Sequence, residues 1–546
     1  MNNKACFLLV SCLLAIGYCS NAQDTTKRKS IDITSSFKPV LREAVKINFN
    51  AVPPVADSAR PRLTYNIPAQ YLFLTYQPGE LKPVAFRADT GSSWQNYNYI
   101  KIGVGNVHLP YIKTGFSFGD GKNTFFNIFA DQLTSKGNLA YQKNSFTDVK
   151  LEGTVKTEKD LEWKGSLGFK NDQYFLYGYQ PDTLKFSKDQ LSQAFQTFEG
   201  KISLRNLDPT EFGLTYNPNM RVSVFDDNHN PKASETNAVL NLPLEKTFGR
   251  SFAFNLAFTA DLTNYALSPI PTQQNNLYYV SPAFLLKTPN LYLQASVIPS
   301  WDNKAFTLLP NFMADIKTSD QRFGIQLGWI GYYDKGSYQR FESINPWLAQ
   351  PNLLLNTRIE ERYAGFKGAA SDHITYSAKV GFVDYKNMPL FVNDSIDGKT
   401  FRIRYETSMQ SLQLHGEVVY TQGEVFSIKA ALNFNNYSNL KSQEKAWGLL
   451  PLEFNTTLRW QVVKDFWVKA DLWAWDGAQY LGRTGGAYKG NSALDLNGGV
   501  EYRITRQLNL WFQMNNILNN KYERWHQYPV YGFNLLGGIV FSFGQK

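Results

Sequence analysis

Tyr531-Gly532-Phe533-Asn534-Leu535-Leu536-Gly537-Gly538-Ile539-Val540-Phe541-Ser542-Phe543 is the stretch whose reading decides the fold. Side chains alternate across a strand, so residues two apart share a face. Tyr531, Phe533, Leu535, Ile539, Phe541 and Phe543 therefore form one apolar, aromatic face, with Gly537 in line. Asn534 and Ser542 fall on the other face. The strand ends on an aromatic residue, three positions before Lys546.

Working outward, the same period of two recurs upstream. Phe252, Phe254, Leu256, Phe258, Ala260 and Leu262 oppose Ala253, Asn255, Ala257, Thr259 and Asp261. Phe323, Ile325, Leu327 and Trp329 oppose Gly324, Gln326 and Gly328. Phe426, Ile428, Ala430, Leu432 and Phe434 oppose a face that carries Lys429, and Phe466, Val468, Ala470 and Leu472 oppose Lys469 and Asp471. Such segments run to about 10–14 residues, against roughly 5–6 for strands of soluble domains. Turn chemistry punctuates them at Gly119-Asp120-Gly121, Glu158-Lys159-Asp160, Asp208-Pro209, Phe248-Gly249-Arg250, Thr288-Pro289-Asn290, Ser319-Asp320, Ser371-Asp372, Gln422-Gly423, Lys464-Asp465 and Thr505-Arg506. Longer polar or aromatic connections lie between them, for example from Lys335 to Pro351 and from Asp476 to Ser492. Short turns alternating with long loops are the rhythm of a membrane barrel. With a further hairpin at Gly105-Asn106, the pattern predicts an all-β fold. It is a large transmembrane antiparallel barrel of about 22 strands, in a range of about 18–24.

Composition agrees. Phe, Tyr and Trp number 39, 31 and 12, and Tyr and Trp favour membrane interfaces. The mean hydropathy of −0.35 is too polar for a helical bundle and suits strands with one polar face. The length of 546 residues would suggest about three to five soluble domains, yet no linker divides the chain. A formal net charge of +10 is scattered rather than gathered into a stripe, so the expected partner is outer-membrane lipid and not nucleic acid.

Residues 1–22 read as a signal peptide. Lys4 supplies its charge, Phe7 to Gly17 its apolar run and Ser20-Asn21-Ala22 its cleavage site. All three cysteines, Cys6, Cys12 and Cys19, fall within it, so the mature chain has no disulfide framework or thiol metal site. Residues 23–75 are rich in Pro, Ser, Ala and charge, and are expected to form a periplasmic tail or a small insert in the barrel mouth. Residues 76–546 are assigned to the barrel. The expected location is the outer membrane of a Gram-negative bacterium.

Two features carry a resemblance to a family. The closing strand resembles the C-terminal signal that the outer-membrane barrel assembly machinery recognises, although Gly544-Gln545-Lys546 follow its last aromatic. Asn515-Asn516-Ile517-Leu518-Asn519-Asn520-Lys521-Tyr522, after the strand at Leu508–Phe512, resembles the Asn-Leu-Phe-Asn-Lys-x-Tyr stretch of TonB-dependent receptors. The match covers about 40 residues, and it implies a barrel of about 22 strands. The departure is the missing plug. About 75 residues separate the signal from the first clear strand, and they lack a plug-like pattern. Ser30-Ile31-Asp32-Ile33-Thr34 loosely resembles the segment by which such receptors contact TonB, so TonB or another envelope complex is the implied partner.

No cofactor and no enzyme activity are expected. The five histidines have no metal spacing, and no nucleophile elbow, phosphate loop or dinucleotide fingerprint occurs. Asp226-Asp227-Asn228-His229-Asn230 has oxygen ligands for a hard cation without the spacing of a calcium loop. The candidate lumen-facing residues are His415, Glu417, Lys429, Lys469, Asp471, Asp495, Glu501 and Arg503. Their signs are mixed, which argues for ion-pair networks rather than a charge-selective ring. The leading function is solute passage or ligand binding at the outer membrane. A scaffold barrel of an envelope complex and a barrel hydrolase are the alternatives.

Overall fold

The computed structural model describes residues 97–120, 122–320 and 322–544. The signal peptide, the 23–75 tail and the TonB-box resemblance lie outside the described residues. Twenty-three strand segments form one antiparallel sheet that closes on itself. They fill 22 wall positions, because Leu214–Tyr216 and Asn219–Asp227 follow one another along the same neighbour, Ala233–Phe248.

Closure is made by the stretch that opened the sequence reading. Asn534–Gly544 pairs on one edge with Leu508–Asn515 and on the other with Tyr97–Gly105, where Ile100 faces Phe541 and Ile102 faces Ile539. Hydrocarbon offers no hydrogen-bond partner, so only a closed ladder leaves no edge unpaired. Ile539 and Phe541 are exposed on the outside of the wall, and Leu536 and Asn534 are buried inside. Tyr531 precedes the strand; its ring packs edge-on against His108, 6.3 Å away, rather than joining the outward face.

The same inside-outside alternation runs round the wall. On Phe252–Leu267, Phe252, Leu256, Phe258 and Leu262 point out, while Ala253, Asp261, Thr263 and Tyr265 are buried. A charge on the outer face would cost about 2–4 kcal/mol at the mid-membrane plane, and none of the outward positions named here carries one. Inside, cations pair with carboxylates on their own strand or on the next. Glu162 holds Lys164 at 3.0 Å and Arg205 at 2.7 Å, and Glu199 holds Lys201 at 2.7 Å. In a hydrated lumen each exposed pair is worth about 1 kcal/mol or less, so these ladders set polarity more than stability.

The ten short turns expected from sequence all lie at the same end of the barrel as the paired strand ends Tyr97 and Gly544. Their chemistry is local. Asp120 accepts hydrogen bonds from the backbone of Lys122, Asn123 and Thr124 at 2.8–2.9 Å, which holds its carboxyl below the usual range. Gly249 adopts φ +61, a left-handed conformation that a Cβ would strain. The opposite end carries the long connections 176–191, 335–356, 439–451, 476–492 and 516–533.

Candidate functional site

The long loops do not stand away from the barrel. The 335–356 and 516–533 loops share one buried cluster in its mouth, and the 176–191 and 439–451 loops pack in clusters beside it.

The 335–356 loop is the firmest part. It contains a short helix, Tyr338–Ile344, capped by Ser337, whose side chain accepts from the Arg340 backbone. Tyr338, Phe341 and Ile344 face the wall and are buried. Tyr338 meets Phe225, Tyr265 and Phe195 edge-on at 5.3, 5.8 and 6.2 Å. Carboxylates from the wall fasten it. Glu235 accepts from the Ser337 hydroxyl at 2.5 Å and from the Tyr338 backbone at 2.6 Å. Asp227 accepts from the Tyr338 hydroxyl at 2.7 Å and from the Gln350 amide at 2.9 Å. Lys335 pairs with Asp261 at 3.1 Å, and Asn275 donates to the Gly336 carbonyl at 2.8 Å. Burial draws Lys335 below its ordinary value, with Asp261 opposing, and burial together with Asp227 pushes the Tyr338 hydroxyl well up. Bonds to ionised groups are about twice as strong as neutral ones, so this loop is pinned.

The 516–533 loop completes the cluster. Its base is built by asparagines. Asn516 adopts φ +46 and Asn519 φ +50. The Asn516 amide donates to the carbonyls of Asn520 and Tyr531 and accepts from the Asn520 backbone, all at 2.9–3.0 Å. A small hairpin follows, Glu523–Trp525 against Tyr528–Pro529. Its tip is gripped mainly by rings. Tyr528 stacks on Trp347 at 3.9 Å and meets Tyr177 at 4.9 Å, and Trp525 meets Phe391 and Phe401 at 5.3 Å each. Several of its polar contacts run to backbone carbonyls. Tyr177 and Gln142 donate to Pro529, Tyr528 donates to Lys399, and Arg524 donates to Gly448. A fully buried side chain of this kind contributes about 1.5–3 kcal/mol, so apolar packing dominates the tip.

Beneath the hairpin lies a cavity of ≈ 80 Å³, walled by Tyr174, Phe175, Tyr177, Trp347, Trp473 and Trp525 among others. A second cavity lies against the hairpin, between it and the 476–492 loop; Tyr522, Arg524 and Trp525 line both.

Solved structures share this architecture at low identity. The siderophore receptor PirA from Pseudomonas aeruginosa superposes with a TM-score of 0.58 at 11% identity, over 83% of this chain and 80% of that one. The FrpB iron transporter from Neisseria meningitidis gives a TM-score of 0.64 at 9% identity, over 83% and 82%. The fold is the TonB-dependent receptor barrel. No protein-family model and no curated protein matches the sequence.

On this barrel the eight lumen candidates do not converge. Glu417 pairs with Lys429 at 2.7 Å, while His415 bonds Asn433 across the strand at 2.7 Å rather than Glu417. Arg503 pairs with Asp465 at 3.3 Å, and Glu501 accepts from Asn509 at 2.7 Å. Asp471 lies opposite Thr457, and Lys469 opposite Arg459. Asp495 alone among them reaches the mouth cavity, where the Tyr522 hydroxyl donates to it. Asp227, considered above for a cation, anchors a loop instead; no cluster of three metal-ligating side chains occurs among the described residues. The residues missed were Glu235, Tyr338, Trp347, Arg524 and Tyr528. Their one signal was aromatic density in the long loops.

Proposed function

We propose that the protein is an outer-membrane barrel of the receptor type, which binds a solute in its loop-closed mouth and passes it inward. The observation that carries the reading is the aromatic cluster that the 335–356 and 516–533 loops build at the long-loop end: a mouth narrowed by its own loops is arranged for capture rather than free diffusion. The superposed structures named above are described as a receptor and a transporter, which agrees. The apolar outer face suits an outer membrane. TonB or another envelope complex, acting through the N-terminal segment, would supply the energy for release.

Planar-bilayer conductance tests this. The intact protein should be silent. Removing residues 518–531 together with 23–75 should give a stable, large conductance. A doubly deleted barrel that keeps its heat-modifiable migration and still does not conduct would contradict the reading and favour a scaffold.

A further inference from the structure

The outer face of the wall changes character towards the long-loop end. Cross-strand register shows the change as rows over three neighbouring strands, Phe323–Asp334, Thr357–Ala369 and Ile374–Asn393. Trp329, Arg362 and Phe382 stand side by side. In the next row Glu360 faces Asp384, and in the row after that Arg358 faces Lys386. The intervening Ile359, Glu361, Val383 and Tyr385 are buried inside, so these rows point out. On the side of the short turns the same face is apolar, with Phe366, Phe382 and Leu414 exposed.

The two charged rows are not equivalent. The carboxylates are satisfied. Glu360 accepts from the Trp329 indole at 2.8 Å and from Arg362 at 2.9 Å. Asp384 accepts from Gln410 at 2.7 Å and has Arg362 at 3.5 Å. The cations beyond them are not. Like charges directly opposite repel, and neither Arg358 nor Lys386 has an ion pair or a side-chain hydrogen bond among the described residues. Tryptophan sits at the membrane–water boundary. Four residues of a tilted strand lift the cation row about 10 Å beyond Trp329, to the level of the lipid headgroups.

We propose that Arg358 and Lys386 hold the phosphate of an anionic outer-leaflet lipid, whose acyl chains lie on Phe366, Phe382 and Leu414. A phosphate between two facing cations turns their repulsion into attraction, and each bond to it is charge-assisted. The proposal rests on the outer-membrane reading above, and it involves the outer wall rather than the mouth.

The test is titration of the full chain in maltoside micelles with lipid A carrying two phosphates, one or none, read by native mass spectrometry. The bisphosphate form should be retained at least about tenfold more tightly than the form without phosphate. Arg358→Gln with Lys386→Gln should abolish that preference. Lys159→Gln with Lys464→Gln, which removes the same charge from exposed short turns, should keep it. In lipid-free micelles the first double variant should have an equal or higher heat-modification midpoint, because the repulsion is gone. A lower midpoint would show that protein groups already hold both cations, and would overturn the proposal. Equal retention of the three lipids, a preference that survives the first double variant or is lost in the second, or displacement of the lipid by millimolar inorganic phosphate would overturn it too. The conductance test above reads the mouth alone. A failed lipid site therefore leaves the receptor reading standing, and a silent deleted barrel leaves the lipid site standing.

Discussion

The 335–356 and 516–533 loops fill the same mouth but are fastened differently. The first meets carboxylates of the wall: Glu235, Asp227 and Asp261 each hold a group at its start. The second is packed by rings and meets several carbonyls at its tip, and asparagines tie off its base, in Asn516 and Asn519. A charged latch gives way only when an ion is left unpaired and buried, whereas a ring can slide out once another apolar surface replaces it. The first loop is thus held by charged groups of the wall, and the second by its asparagine base and by ring packing at its tip.

The comparison can be broken at four points. Glu235→Ala leaves the Ser337 hydroxyl and the Tyr338 amide without their acceptor and should loosen the first loop by about 4 kcal/mol. Trypsin cleavage at Arg340 should rise accordingly, with the barrel still heat-modifiable; unchanged cleavage would show that the rings hold the loop by themselves. Asn516→Ala removes three hydrogen bonds and places Ala at positive φ, for about 3 kcal/mol. Cleavage at Lys521 and Arg524 should increase and that at Arg340 should not.

Tyr528→Phe removes the hydroxyl's bonds with the Lys399 carbonyl and the Gly178 backbone and keeps the ring stack, so about 1–2 kcal/mol is expected. A loss as large as that of Asn516→Ala would mean that the tip is pinned too. The smallest effect per group is that of alkaline pH. Burial raises the Tyr177, Tyr338, Tyr522, Tyr528 and Tyr531 hydroxyls above their ordinary value of 10.0. A raised folded value means stability fully present below pH 10.0 and lost as pH climbs toward the folded values. Lys335, whose value is lowered, works in the opposite direction. Five tyrosines against one lysine predict a mouth that loosens above pH 10.0, visible as tyrosinate absorbance rising together with protease access. Ionisation of these residues with no change in access would separate their titration from closure.

Much of the wall was legible because it is periodic and local. Asp120, Gly249 and Asp465 announce turns through their own backbone needs, and the face of Phe541 and Ile539 follows from counting by two. The mouth was not legible in this way. Glu235 and Tyr338 stand 103 positions apart, and Gln142 and Pro529 stand 387 apart. No period links them, and contacts of that range emerge only once the barrel has closed. Asn515 to Tyr522 stood out as a family resemblance, but its physical role, two left-handed asparagines that tie off a loop, needed the backbone angles. His415 and Glu417 shared a face as expected, yet each found its partner on the neighbouring strand, where register rather than sequence proximity decides.

Native-state hydrogen exchange of the intact protein tests the central contrast most directly, because amide protection reports local opening. The account predicts that the amides of Tyr338–Ile344 exchange as slowly as those of the neighbouring wall strand Ala233–Phe248. The amides from Glu523 to Val530 should exchange at least about tenfold faster, and Ile517 and Asn520 at the base should stay protected. Equal protection of the two loops, or a first loop that exchanges faster than the hairpin, would contradict it.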